Sequence, residues 1–513
     1  MKANVVTSRY VLPAVLQNVY QRPSLRLYTS PATQASSSSV QAKPLSEIPG
    51  LSSLPIIGPL HHFLPVVGKI GPPDNFVSLL GKFHEEFGPI MKLDGIFRRS
   101  CMVIIFEPDY YHQVYRAEDP NPLRPGFESM VNYKTKDNMT VADGVFGLTI
   151  LQGAQWRQFR TKVNPALLKP KLVKLYAPAL EGIAKDMVER LTKLSYDYLE
   201  NNFDVEMTKF SLESIGLVGL GSRLGALGDD MTDDHPARKL MKCAKDILQL
   251  SFKLEVGLSP WRYISTPTYR KLMRTVDTQW EVSKVFIGEA RKQITERGHD
   301  IPEEEKSIIE KLLAIDEKVA ISMANEMLLA GIDTVAFATT NLLYRLGTNP
   351  KAQDKLREEI LSGDNNRRYL RACLKEALRL NPVVSANLRH TAKDHYVAGY
   401  HIPKGVDVVA PNEYLSKLEK YYPQPTEFIP ERWLVEKTHP LYYGNAHPMV
   451  TLPFGFGVRS CIGRRIAELE IELLVATLVK DYLIRWEGPP LKIVTRIMNK
   501  MEKPYNFRFD RIN

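Results

Sequence analysis

The residues with the plainest chemical potential lie in one glycine-rich stretch, Pro453-Phe454-Gly455-Phe456-Gly457-Val458-Arg459-Ser460-Cys461-Ile462-Gly463. Glycines on both sides of the cysteine let the backbone fold tightly and approach a flat ligand closely. An amphipathic pattern over 462–481 predicts a helix that starts directly after Cys461. The free N–H groups and partial positive charge of a helix N-terminus both stabilise a thiolate. No second cysteine or histidine stands in the stretch, so it suits zinc poorly, since zinc takes four ligands. A single axial thiolate is something haem iron can use. A lone cysteine is also, in many proteins, just a small buried hydrophobe, and the residue types alone leave both readings open.

A second candidate is Asp333-Thr334, in the middle of an apolar helical stretch over 319–348. Ala330, Gly331, Ala336, Phe337 and Ala338 leave that helix apolar on most faces, so it should be buried. Asn349-Pro350 stops it. A buried carboxylate needs a partner, so Asp333 is either a salt-bridged core residue or part of a site. Gly331 costs about 1 kcal/mol relative to alanine in a helix. Either a close helix crossing or a groove for a large ligand would account for it.

The elements that must position these residues are mostly helices. Amphipathic stretches run near 171–198, 236–254, 268–297, 319–348, 351–361, 369–380 and 462–481. Strands are few: Cys101 to Phe106, then a hairpin-like pair around Tyr396–Tyr400 and Val406–Val409, joined through Pro403-Lys404-Gly405. A Pro/Gly-rich lead-in follows Glu47, and no long linker or repeat interrupts the rest. The expected fold is mainly α, one large helical domain over 47–513 with a small β-sheet region.

The spacing Phe454-x-x-Gly457-x-Arg459-x-Cys461-x-Gly463 resembles the haem-binding signature of the cytochrome P-450 family, with every fixed position filled. Other segments resemble that family in the expected order. Glu376-Ala377-Leu378-Arg379 is similar to its Glu-x-x-Arg pair, and Pro430-Glu431-Arg432-Trp433 to the segment whose arginine joins that pair. Ala330-Gly331-Ile332-Asp333-Thr334 is similar to the oxygen-activation motif, and Trp156-x-x-x-Arg160 to the haem-propionate helix. The resemblance covers about 47–513. It implies haem b held by Cys461, with Trp156, Arg160, Arg389, Phe454, Gly457, Arg459 and Gly463 around it. It also implies a buried structural triad of Glu376, Arg379 and Arg432, and a monooxygenase reaction with O2 in which Thr334 and Asp333 handle oxygen and protons. A haem-binding sensor or carrier of the same fold, without that activity, is the alternative. A non-oxidative rearrangement enzyme is a third, and Thr334 speaks against it.

No flavin or nicotinamide fingerprint occurs; the glycines over 219–228 do not follow a strand–GxGxxG–helix plan. Electrons must therefore come from outside, and the resemblance implies NADPH, a flavoprotein and a small acidic iron–sulfur ferredoxin. Arg464 and Arg465 fall in the first turn of a helix, where the dipole disfavours cations, so something else should justify them. With Arg371 and Lys375, spaced i,i+4, they resemble the docking set of mitochondrial members. The chain looks most like insect mitochondrial members, which points to the matrix side of the inner membrane. The loop Phe252–Trp261 with Tyr263 could touch a bilayer peripherally. One departure stands out: between Pro350 and Tyr369 the family has a longer connection with an extra short helix. Apolar residues at Phe127, Met130, Val145, Phe146, Val383, Val384 and Leu388 suggest a lipophilic substrate, xenobiotic or sterol-like.

Composition bounds the rest. The 513 residues hold four cysteines, too few for a disulfide scaffold. No run approaches the ~20 apolar residues of a spanning helix, which excludes a polytopic membrane protein. The net charge of +10 is mild and does not select nucleic acid. Half of it sits in 1–46, where five basic residues meet no acidic one in a Ser-rich segment. That is the pattern of a mitochondrial import segment, with cleavage expected just after Tyr28. Without it, the chain is nearly balanced, 63 basic against 58 acidic.

Overall fold

A computed structural model describes residues 42–512, apart from 56, 65–69, 71–75, 95–99, 125, 137–146, 230, 256–258, 299–301 and 496–497. Most of the expected import segment, with Tyr28, and the residues Val145 and Phe146 lie outside the described residues. Lys43–Asn513 form one compact unit. Lys43 already belongs to it, donating its N–H to the carbonyl of Gly399 at 3.0 Å. The folded unit thus starts a few residues before position 47.

Helices come first in number. The N-terminal part holds α1 (Phe76–Phe87), α2 (Pro108–Arg116), α3 (Glu128–Lys136), α4 (Gly153–Leu167), α5 (Pro170–Leu175) and α6 (Ala177–Lys193). The middle holds α7 (Tyr196–Leu220), α8 (Pro236–Glu255), α9 (Pro267–Arg297), α10 (Ile308–Leu313) and α11 (Glu317–Gly347). Then follow α12 (Pro350–Leu361), α13 (Arg368–Leu380), α14 (Asn412–Leu415) and α15 (Arg464–Asp481). Four strands make one sheet: β1 (Ile90–Leu93), β2 (Met102–Ile105), β6 (Asp407–Ala410) and β3 (Asn387–His390), in that order. Three two-stranded pairs join β4 (His395–Val397) to β5 (Tyr400–Ile402), β8 (Ile493–Thr495) to β9 (Asn499–Met501), and β7 (Tyr482–Trp486) to β10 (Phe507–Arg511). The mainly α domain with a small sheet region is the fold expected from the sequence.

α11 is the central post. By length and composition it could cross a membrane, but 67% of its most apolar window is buried inside the protein. Asp316 caps its N-terminus, accepting from the N–H groups of Lys318 and Val319. A Cβ placed on Gly331 would stand 2.8 Å from Cγ1 of Ile215 in α7, inside contact distance. The close helix crossing, rather than a ligand groove, therefore accounts for this glycine.

Three expectations need correction. The stretch 171–198 is not one helix. Leu194-Ser195 breaks it, and the Ser195 hydroxyl accepts from the N–H of Tyr198 to start α7. The hairpin is β4 with β5, turning at Ala398-Gly399, both at positive φ (52° and 79°). A two-residue turn of that handedness matches strand twist. β6 instead crosses to lie parallel to β2 and antiparallel to β3, because all four of its residues are buried and need partners on both sides. Finally, α15 begins at Arg464, not at Ile462, so Gly463 is its cap residue.

The short link between α12 and α13 closes cleanly. Gly363 and Arg367 take positive φ, and the Glu359 carboxylate accepts from the N–H groups of Tyr369 at 2.6 Å and Leu370 at 2.9 Å. An acid on one helix thus caps the next, which suits the dipole of α13.

Candidate active site

The cysteine loop is held from within. The Cys461 N–H donates to the carbonyl of Phe454 at 2.9 Å. Gly455 and Gly457 both take positive φ, at 74° and 67°. A Cβ on Gly457 would also stand 3.1 Å from Oε2 of Glu118, so a larger residue would be strained by its φ and would push that carboxylate aside. Cys461 is exposed at its surface, yet most of its surroundings are protein atoms. That enclosure pushes its thiol above the usual value. The N–H groups of Gly463 and Arg464 and the charges of Arg160 and Arg464 pull the other way. The helix terminus thus assists a thiolate as expected, but burial outweighs it until a metal takes the sulfur; a coordinating thiol is deprotonated outright.

Four arginines converge on this loop. Arg459 is buried and spreads its guanidinium over the carbonyls of Pro122 (3.1 Å), Leu148 (3.3 Å) and Leu151 (3.1 Å). Its face lies 4.1 Å from the ring of buried Trp156. Arg160, four residues further along α4, reaches the carbonyl of Ser460 at 3.1 Å. Arg389 on β3 donates to the carbonyl of Phe456 at 2.7 Å and stands 2.6 Å from Glu118. Arg124 is the fourth. Its backbone pairs with the Gln152 amide at the head of α4, and its charge is felt by Arg459.

Crowding shows in the acidities. Burial, then Arg124 and Arg389, hold Arg459 down to about 9. Burial also lowers Arg124 and Arg160. The carboxylates that act on this group are Glu118 and Glu326. Four guanidiniums against two carboxylates leave a surplus of two positive charges among the described residues. Arg160 Nε and Arg459 Nε are buried without a hydrogen-bond partner. Haem carries two propionates, so the donor set fits it in charge as well as in its single thiol. Cys461 would hold the iron, and Arg124, Arg160, Arg389 and Arg459 would balance the propionates. Trp156 is packed as the platform for Arg459.

Arg124, Glu118 and Glu326 carried no motif in the sequence. Glu326 on α11 accepts from the N–H of Thr149 at 3.0 Å and from its hydroxyl, tying α11 to the turn before α4. Ala330 and Thr334 follow Glu326 at four-residue steps and so share its face. The charges of both Glu326 and Cys461 act on Arg124, which links this stripe electrostatically to the cysteine loop. Ala330 is exposed in the largely buried middle of α11, and Thr334 donates its hydroxyl to the Ala330 carbonyl at 2.5 Å. Asp333 points elsewhere, into a cavity between α7, α8, α9 and α11, where burial raises its carboxyl and Lys500 and Lys245 pull it down. Among the described residues it forms no ion pair.

Beneath the loop lies the carboxylate of Glu376, fully buried on α13. It accepts from Arg379 (2.8 and 2.9 Å), Arg432 (3.1 Å), Trp433 Nε1 (3.0 Å) and the Ile429 N–H (3.2 Å). Arg379 then reaches the carbonyls of Ser416 and Pro425, both at 2.8 Å. The three expected residues do form one buried cluster.

The four cations of the expected docking set are distributed differently. Arg371 pairs with Glu472 at 2.9 Å and Arg464 with Glu468 at 2.9 Å. Lys375 has no carboxylate within ion-pair distance among the described residues; burial, then Arg464 and Arg371, lower its ammonium. Arg465 donates to the carbonyl of Leu168 at the end of α4. Both arginines of the first turn of α15 thus have partners inside the fold. Of the suggested substrate contacts, Met130 is buried against α8 and α9, and Val384 is exposed.

Replacing Glu376 with glutamine should cost about 3–5 kcal/mol, because it leaves two buried guanidiniums without their anion. Thermal unfolding and the haem-loaded fraction of purified protein measure it; an unchanged melting temperature would contradict the cluster's role.

Comparison with known proteins agrees with this geometry. The family described as Cytochrome P450 matches residues 49–508. Cytochrome P450 CYP12A2 of Musca domestica is 36% identical over 513 aligned residues, with 94% of each chain covered. Probable cytochrome P450 12b2, mitochondrial, of Drosophila melanogaster is 35% identical over 466 residues, covering 87% of this chain and 85% of that one. Probable cytochrome P450 301a1, mitochondrial, of the same species is 31% identical over 500 residues, covering 94% and 90%. A thiol ringed by surplus guanidinium charge, in a chain similar to these along nearly its whole length, belongs to the cytochrome P450 family, the haem-thiolate monooxygenases.

Proposed function

We propose that this monooxygenase works in mitochondria, draws electrons from NADPH through a flavoprotein and an acidic ferredoxin, and oxidises a lipophilic substrate. The observation that carries the reading is Lys375, a cation with no carboxylate of its own among the described residues, set beside the glutamate-paired Arg371 and Arg464 whose charges reach it. Several relatives are named mitochondrial, and the basic, acid-free segment 1–46 has the character of an import address. N-terminal sequencing of protein recovered from mitochondria should begin at Thr29; a chain still starting at Met1 would count against processing there.

Haem, when bound, supplies the activation of O2. The residues around it divide the remaining work. Cys461 would hold the haem iron through its sulfur, and the arginines would hold and neutralise the propionates. Thr334 donates its hydroxyl hydrogen bond to the Ala330 carbonyl, so its oxygen stays free to accept one from a neighbour. Asp333, lining a cavity beside Thr334, can take up protons and pass them toward its neighbour. Thr334→Ala should keep the haem and NADPH consumption but send most electrons to hydrogen peroxide. Product formed per NADPH would then fall severalfold, and normal coupling would remove Thr334 from this role.

Lys375 is the residue to test for partner docking, since it is the one of these three without its own carboxylate. Lys375→Glu should raise the KM for ferredoxin about tenfold, equivalent to ~1.4 kcal/mol. The effect should be larger at low salt and leave haem content intact. An unchanged KM would rule this docking site out. Arg465 is a poorer test, because its bond to Leu168 mixes docking with stability.

Peripheral membrane contact falls to different residues than Trp261. That ring is buried, stacked on Tyr269 at 5.7 Å, and donates to the Leu254 carbonyl. Tyr263 and Ile264, both exposed, are the apolar groups left to meet a bilayer surface.

A further inference from the structure

α11 sends two neighbouring residues in different directions. Successive helical residues point about 100° apart. Thr334 therefore lies with Ala330, while Asp333 lies with Ala336, Phe337 and Thr340. This second stripe floors a cavity of about 760 Å³ walled by α7, α8, α9, β9 and Tyr505. Cys461, Trp156 and the four arginines do not line it. Its volume lies within the ~300–1,000 Å³ of small-molecule sites.

The lining has two characters. Met241, Leu248, Phe337, Met498 and Met501 give apolar walls. Cations stand around them in excess of acids. Arg238 pairs with Asp233 at 3.3 Å, Lys239 with Asp234 at 3.1 Å and Lys271 with Asp246 at 3.4 Å. Lys242, Lys245, Arg274 and Lys500 have no carboxylate within ion-pair distance among the described residues. A neutral ligand would leave these four charges unused, and a small inorganic anion would leave the apolar walls unused.

We propose that this cleft binds an anionic amphiphile of the fatty-carboxylate class, its chain against the methionines and Phe337 and its head group at Lys245 and Lys500. Such a ligand would act on the active site through Asp333. The groups that face this carboxyl are Lys500 from β9, Lys245 from α8 and Asp204 from α7. The two lysines favour its ionised form, and an anion paired with them withdraws that help. Asp333 then keeps its proton to higher pH. If Asp333 relays protons as proposed above, the acid limb of the pH–rate profile moves upward when the cleft is filled.

The binding claim can be tested without turnover. Ferric holoprotein is first saturated with an azole that occupies the haem-side space, and decanoate is titrated in by calorimetry below its micellar concentration. One decanoate should bind per chain. Decanol, the neutral counterpart, should bind at least tenfold more weakly. The double variant Lys245→Gln/Lys500→Gln should weaken decanoate at least tenfold while keeping the azole-induced spectrum that reports an intact fold. No decanoate binding, equal affinity for decanol, or unchanged affinity in the double variant would each overturn the proposal. None of these outcomes touches ferredoxin-driven turnover, so the two readings stand or fall separately.

Discussion

A buried guanidinium must find acceptors, and that demand organises the core of this protein. Leaving such a donor unpaired in the interior costs several kcal/mol. Arg459 meets the demand by gathering carbonyls from residues 122, 148 and 151, more than three hundred positions away. Arg160 and Arg389 gather two more from the cysteine loop itself. Backbone segments that share no local sequence signal are therefore drawn around one cysteine. The same groups leave two positive charges over, so the scaffold that builds the site also makes it selective for a dianionic cofactor. Glu376 answers the converse need below, a single buried carboxylate shared by two arginines, an indole and a backbone amide.

α11 links that arrangement to the Asp333 cavity. Its adjacent residues Asp333 and Thr334 point different ways, Asp333 into an apolar-walled, cation-rimmed cavity and Thr334 along the stripe of Ala330 and Glu326. Helical geometry alone enforces this split, since neighbours cannot share a face. The Gly331 crossing with α7 keeps the helix close-packed, so exchange across it falls to side chains rather than to an open passage.

Much of this was legible in the residues. The long amphipathic helices came out close to their observed limits, because a 3.6-residue apolar period survives wherever a helix has one wet face. α7 did not, and the reason is specific. Its second half is buried on all sides, with Glu206, Lys209 and Glu213 inside, so it has no polar face to set a period. Those charges find partners within the helix and in the segments next to it: Arg190 and Lys209 serve Glu206, while Glu213 accepts from Arg223 and the N–H groups of Leu224 and Ala226. Gly225, one of the glycines over 219–228 that follow no nucleotide-binding plan, also donates its N–H to that carboxylate. The arginines at the start of α15 follow the same logic. They looked anomalous against the helix dipole, yet Glu468 and the Leu168 carbonyl compensate both.

What the amino-acid order determined by itself was the family and its local signatures: the cysteine loop, the Glu376–Arg379 spacing, the Asp333-Thr334 pair and the positions of most helices. These are short-range patterns, and each reflects chemistry or periodicity contained within a dozen residues. The charge surplus at the thiol, with Arg124, Glu118 and Glu326 as members, was decided only by the tertiary structure. So were the strand partners of β6 and the separate face of Asp333. Electrostatic sums and strand pairing depend on which distant segments meet, and a buried charge can be balanced from anywhere in the chain.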